Sequence, residues 1–252
     1  MQNWKQKTQS FSKPFSFSFL DSIEPEELKR RDEEIRRAEE REIKQQRDNA
    51  FFGCGINEDC QNNTFKNYQA ITDEQKKALS AVWDFTKKVC AGEYCALVLF
   101  GNPGAGKTHL VTACLNAALH SVKKNWETGW TEYYSGRYVL SRTISSRLME
   151  TVSFKCKETY DEVINDYSNS DLLVIDEVGR DPLSAAGESS GLFAITDKRK
   201  SKSKGKAIAF CTNGNFDEFS RILGSAAMSR ILQNAIVVDM TKIPDWRLSH
   251  RA

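Results

Sequence analysis

Residues 101–108, GNPGAGKT, match the pattern GxxxxGK[ST]. Glycines at 101, 104 and 106 let the chain curl until successive backbone N–H groups point inward, which makes a cradle for phosphate oxygens. Within that cradle Lys107 would neutralise β- and γ-phosphate charge, and the Thr108 hydroxyl would ligate Mg²⁺. Sixty-nine residues after Lys107 an apolar run, LLVIDE (172–177), ends in an acidic pair. Asp176 is placed to hold the magnesium ion, and Glu177 to orient and activate an attacking water. The chemistry expected of this pairing is hydrolysis of the γ-phosphate of ATP, with Mg²⁺. Gly101, Asn102, Pro103, Gly104, Ala105, Gly106, Lys107, Thr108 and the adjoining His109 are the expected nucleotide contacts.

Such a site needs strands that end at it and a helix that starts from it. Ala96–Phe100 (ALVLF) reads as a buried strand leading into the loop, and residues 107–120 as the helix leaving it, whose N-terminus adds a favourable dipole. Further buried strands are expected at 138–141, 172–175, 207–211 and 235–238, with helical patterns between them to about Asp166 and over 191–200. Strands alternating with helices imply an α/β domain with a mainly parallel sheet. Ahead of it, Ala78, Val82, Phe85 and Val89 recur at the spacing of a helix buried on one face.

The N-terminal part differs in kind. Residues 1–20 are polar and Ser-rich and read as disordered. Residues 25–48 (PEELKRRDEEIRRAEEREIKQQRD) carry acid-to-base pairs four apart, as at Glu27–Arg31 and Glu33–Arg37, which favours helix. Their few apolar residues, Leu28, Ile35, Ala38 and Ile43, fit either a solvated single helix or an arm that gains its packing from a partner. The expected organisation is a disordered and helical arm over 1–50, a Gly- and Asn-containing linker over 51–68, and the α/β domain over 69–252.

Charge is unevenly spread. Residues 1–50 are neutral overall, 51–197 carry a net −5 and 198–252 a net +7. A basic end beside an acidic middle suits a polyanionic partner. The seven cysteines form no CxxC pair, and the Cys54/Cys60 spacing matches no common zinc pattern. No apolar run approaches the ~20 residues that span a bilayer, and residues 1–19 lack the apolar core of a secretory signal. A cytoplasmic protein with no membrane association is expected.

GNPGAGKTHL, LLVIDEVG and a strand ending in CTN together resemble an AAA+ ATPase, which implies a P-loop three-layer domain. More narrowly, NTFKNYQAITDEQKKAL (63–79), DKRKSKSKGKAIAFCTN (197–213) and the ending DWRLSHRA resemble the bacterial helicase-loader and transposition-helper branch, the DnaC–IstB type. The similarity runs over residues 45 to 252. It implies that Asn213 senses the γ-phosphate at a strand end, that Arg230 is an arginine finger inserted into a neighbouring subunit's site, and that Arg251 touches the γ-phosphate from the same chain. An arginine acting between subunits requires a self-associated ring or spiral.

Two functions follow from the resemblance. One is a loader whose arm grips a replicative DNA helicase while the ATPase domain binds ATP and single-stranded DNA. The other is a transposition helper that forms filaments on duplex DNA. A small-molecule kinase fits less well, because Glu177, Asn213 and Arg230 suit hydrolysis and sensing. For single-stranded DNA the candidate contacts are Phe154, Lys155 and Lys157, an aromatic among cations; core packing accounts for Phe154 equally well. The run Lys198, Arg199, Lys200, Lys202, Lys204, Lys206 reads as a solvated loop or as a phosphate contact. The aromatic stretch 123–134 reads as an insertion with no assigned role.

Overall fold

The computed structural model describes residues 25–124, 131–180, 185–201 and 206–249. They fall into two compact units, 1–45 and 46–252. In the first, the described residues belong to helix α1 (Pro25–Gly53), where ion pairs Glu27–Arg31 and Glu33–Arg37 form at the expected spacing. Each described side chain between 26 and 45, Leu28 and Ile35 included, is exposed.

The second unit is built on a five-stranded parallel sheet of order β4-β5-β6-β1-β7. Its strands are β1 (Ala96–Phe100), β4 (Gly136–Leu140), β5 (Leu172–Val178), β6 (Ala207–Thr212) and β7 (Ala235–Asp239). Parallel strands covered on both faces need apolar side chains at every position, and the pleat then sends neighbours to opposite layers. Leu97 and Leu99 of β1, Leu172 and Val174 of β5, and Ala209 and Cys211 of β6 face one core. That core is closed by α2 (Asp73–Cys90) and α3 (Lys107–Leu119). Val98, Leu173, Ile175, Ile208 and Phe210 face the other. There they meet α4 (Ser141–Glu150), α5 (Tyr160–Ser168), α6 (Ala185–Lys200) and α7 (Phe216–Leu232). The domain is the three-layer α/β P-loop fold that the sequence implied.

Several details depart from the sequence reading. Ser141 opens α4 instead of closing β4. The helical pattern expected to about Asp166 is interrupted: α4 stops at Glu150, and a capping box between Thr159 and Glu162 starts α5 afresh. Arg147 ties the two helices together, bonding Glu158 (2.9 and 2.5 Å) and Asp166 (2.5 Å). Part of the aromatic insertion forms an antiparallel hairpin, β2 (Val122–Lys124) with β3 (Thr131–Tyr133), while 125–130 lie outside the described residues. Helix α7 and the short α8 (Trp246–Ser249) were not foreseen; α7 kinks at Gly224, where φ is 76°.

The basic run is not a uniform solvated loop. Lys198, Arg199 and Lys200 form the last turn of α6, and Arg199 is wholly buried. Its guanidinium donates to the carbonyls of Tyr167 (3.1 Å), Asp171 (3.2 Å) and Ala207, joining the starts of β5 and β6 to α6. Burial pulls it down to about 9. A cation spent on three carbonyls is structural and unavailable to DNA. Lys206 donates to the Asn169 carbonyl, and Lys202 and Lys204 lie outside the described residues.

The segment 54–68, expected as a linker, is laid on the domain. Cys54 and Ile56 are buried, Asn63 donates to Thr112 (2.9 Å), and Asn116 donates to the carbonyls of Gln61 (3.0 Å) and Asn63 (2.8 Å). Among the described residues no helix is long and apolar enough to cross a membrane.

Candidate nucleotide site

Strand order sets the site. β6 lies between β1 and β5, so the loop leaving β1, the end of β6 and the acidic end of β5 converge at one edge of the sheet. Carboxyl ends of parallel strands are where such sheets hold ligands. A cleft of about 740 Å³ opens there, lined by Pro103–His109, Asp176, Glu177 and Asn213.

The loop's curl is fixed by positive φ at its glycines, 75° at Gly104 and 90° at Gly106. A side chain at either position would also displace a neighbour. A Cβ on Gly104 would fall 1.8 Å from the Asp245 carboxylate, and one on Gly106 2.8 Å from the Tyr68 ring. Gly106 is the N-cap of α3, so the helix begins as the loop ends. The segment after β7 braces the loop from outside: Asn102 donates to the Thr241 carbonyl (2.8 Å), and the Trp246 amide to that of Gly104 (3.1 Å).

Lys107 is buried, and its ammonium donates to the carbonyls of Gly101 (2.7 Å) and Asn102 (2.8 Å), inside its own loop. Burial lowers it from the ordinary lysine range. On the facing strand Asp176 is 4% exposed, and each of its carboxylate oxygens accepts a hydrogen bond. Oδ2 accepts from the hydroxyls of Thr108 and Tyr138, each at 2.8 Å, and Oδ1 accepts from the Glu177 amide at 2.7 Å. Burial and the Asp176 charge push the Tyr138 phenol far above its usual value.

Glu177 is the described non-glycine residue with positive φ, 59°. It sits at a bulge: from Ile175 to Val178 three steps along β5 match two along β6. The extra residue turns the chain so that Asp176 stays buried under the loop while Glu177 faces the cleft. Arg180 forms an ion pair with the Glu177 carboxylate. Asn213, just past β6, is exposed into the cleft between the loop and the acidic pair.

His109 lines the cleft, but its Nε2 lies 3.1 Å from the Thr64 carbonyl and 3.0 Å from Asn67 Oδ1, two acceptors that assign the proton to this nitrogen. It fastens α3 to the 64–67 turn. Arg230 stands apart from the cleft on the second half of α7, bonded to Asp197 (2.5 Å) and stacked 4.8 Å over the Phe193 ring. Arg251 lies outside the described residues. Phe154 is fully exposed in the loop between α4 and α5, with Lys155 beside it. Core packing is thereby excluded for Phe154.

Among the residues that sequence reasoning overlooked, Tyr68, Arg180 and Arg247 line the cleft, and Tyr138 reaches Asp176 from the core. Tyr68 closes the loop side, its hydroxyl without a hydrogen-bond partner among the described residues, and burial pushes it up to about 12. Arg247 lines the cleft four residues before the arginine the sequence nominated, close enough for its charge to lower Lys107 further. Only Arg180, three residues after Glu177 in DEVGR, left a local signal.

Thr108 and Asp176 suit Mg²⁺, because a hydroxyl and a buried carboxylate already in contact are hard oxygen donors, and the ion takes one or two protein oxygens beside phosphate and water.

Comparison with known proteins adds the following. The profile of the IstB-like ATP binding protein family matches residues 2–251. The chain is 32% identical over 197 residues to the replicative helicase loader DnaC of Escherichia coli strain K12, covering 77% of this chain and 71% of that protein. The crystal structure of the DnaC helicase loader superposes with a TM-score of 0.57 at 21% identity, over 73% of this chain and 99% of that one. The replication initiator DnaA, solved with AMPPCP and single-stranded DNA, superposes with a TM-score of 0.54 at 21% identity, over 73% and 50%. Both structures share the fold.

Proposed function

Because the chain belongs to the IstB-like ATP binding protein family, we propose that it is an ATP-dependent loader of a replicative DNA helicase. The observation that carries this reading is the 32% identity to a helicase loader over 77% of the chain. In this reading residues 1–50 grip the helicase, and the cleft at Lys107 binds and hydrolyses ATP as a switch.

The roles follow from position. The Gly101–Thr108 amides and Lys107 bind the phosphates. Thr108 and Asp176 hold Mg²⁺, which when bound neutralises phosphate charge and polarises the bond to be broken. Glu177 takes the proton of the attacking water once Arg180 releases its carboxylate, and Asn213 positions that water. Arg230 acts on the site of a neighbouring subunit, in keeping with its distance from its own cleft. Replacing Arg230 by Ala is expected to leave nucleotide affinity unchanged and to lower DNA-stimulated turnover at least tenfold. Mixing it with Lys107→Ala subunits should restore part of that turnover; an unrescued rate would count against a finger acting in trans.

Single-stranded DNA binds at the 151–159 loop, where Phe154 offers a stacking face beside Lys155 and Lys157. An exposed phenylalanine free of core packing has no stability role to explain it. Phe154→Ala should therefore leave the melting temperature unchanged and weaken single-strand binding by about 5- to 100-fold, the worth of one stacked base. Unchanged affinity would move the DNA site elsewhere.

The deciding experiment measures ATPase rate with single-stranded DNA, duplex DNA and the host's replicative helicase, together with helicase capture by the chain with and without residues 1–50. Single-strand stimulation with arm-dependent capture supports the loader. Stimulation by duplex alone, without capture, favours a transposition helper.

A further inference from the structure

Helix α1 ends at Gly53, and the three residues that follow are fixed to the sheet at one place. The Tyr138 amide of β4 donates to the Cys54 carbonyl at 2.6 Å. Gly55, at φ +80°, passes so close that a Cβ would fall 2.6 Å from the Tyr138 carbonyl oxygen. Cys54 and Ile56, on either side, are buried in the core shared by α2 and α3. The root of α1 thus rests on the backbone of Tyr138, on the free edge of β4.

The side chain of the same residue reaches the chemistry. Its ring is buried in that core, and its hydroxyl donates to Asp176 Oδ2, the oxygen that also accepts from Thr108. Two hydroxyls converging on one oxygen fix the rotation of the carboxylate, while the Glu177 amide fixes the other oxygen. A change of charge at Asp176 and Thr108 therefore acts directly on the Tyr138 hydroxyl. One rigid ring then carries it to the backbone that supports Cys54–Ile56.

We propose that Tyr138 is a positioning residue that sets Asp176 for magnesium–nucleotide and couples occupancy of the cleft to the root of α1. The inference rests on the cleft binding magnesium–nucleotide, but not on the identity of the helicase or on DNA binding. Tyr138→Phe keeps the ring in the core and removes only the hydroxyl, so folding is preserved and a thermal melt verifies it.

Two readouts test the idea without relying on turnover. A fluorescent ATP analogue is titrated into wild type and Tyr138→Phe, with and without Mg²⁺. Affinity without the ion should match, while the gain on adding Mg²⁺ should fall by about 10-fold in the variant, as for other hydrogen-bond partners of metal-binding groups. Hydrogen exchange then follows the amides of 50–56. They should change protection when wild type binds the magnesium nucleotide, and that response should be lost in Tyr138→Phe. An equal Mg²⁺ gain in both proteins overturns the positioning role. Exchange at 50–56 indifferent to nucleotide in wild type overturns the coupling, with no variant needed. Failure of wild type to bind the analogue at all overturns the reading of the cleft itself, and is distinguished from both by its independence of Tyr138.

Discussion

Glu177→Gln is expected to bind ATP with wild-type affinity and to hydrolyse it 10²- to 10⁴-fold more slowly, about the contribution of a positioned general base. The substitution keeps size and hydrogen bonding but removes the ability to accept a proton. Structure separates this residue from its neighbour. Asp176 is buried beside the phosphate loop and held there by Thr108, Tyr138 and the Glu177 amide, whereas Glu177 is turned into the cleft by a bulge and a φ of 59°. A backbone in that region is disfavoured for a residue with a Cβ by about 1 kcal/mol or more, and persists where the surroundings impose it. Its geometry delivers a carboxylate to the cleft that the phosphate loop and Asn213 also line. The ion pair with Arg180 lies near solvent and contributes on the order of 1 kcal/mol or less, so it delays Glu177 without disabling it. Single-turnover hydrolysis beside equilibrium nucleotide binding checks the expectation. Turnover within about threefold of wild type would remove Glu177 from the role of base.

The parts of the site that sequence revealed are those whose physics is local. A phosphate loop needs its glycines, lysine and hydroxyl in consecutive positions, and a doubly covered parallel strand needs an unbroken apolar run, so Ala96–Phe100, the loop and LLVIDE were legible together. Asn213, just past β6, was nominated through the resemblance carried by CTN and not by a local rule. What stayed hidden depends on strand order. Tyr138 reaches Asp176 only because β4 lies beside β5, a neighbourhood that two residues 38 apart in the sequence do not advertise. Arg199 looked like one of six cations in a basic run. It is buried because the last turn of α6 passes over the end of α5 and the starts of β5 and β6, where it bonds the carbonyls of Tyr167, Asp171 and Ala207. Phe154 posed the reverse problem, since composition cannot separate a core aromatic from an exposed one. α4 stops at Glu150 and a capping box at Thr159 starts α5 afresh, and the loop between them leaves the ring in solvent.

Lys107→Ala should cost the protein its nucleotide and little of its stability. In the wild-type loop the ammonium is held by the Gly101 and Asn102 carbonyls, and burial disfavours its charge. Taking a cation out of water is a cost that two neutral acceptors offset only in part, so folding does not depend on it. Phosphate oxygens are stronger partners, because both members of each hydrogen bond are then charged. Removing the lysine forfeits at least one such bond together with the neutralised charge, about 3 kcal/mol or more, which lowers ATP affinity a hundredfold or more. The glycine cradle and the α3 dipole remain, so weak binding should persist at high nucleotide concentration. Fluorescence titration with a labelled ATP analogue measures the loss, and thermal melting measures the stability. A melting temperature within a few degrees of wild type, paired with the affinity loss, assigns Lys107 to the ligand. A large fall in melting temperature with affinity intact would make it a brace of its own loop, and the phosphates would need another cation of the cleft, Arg247 or Arg180.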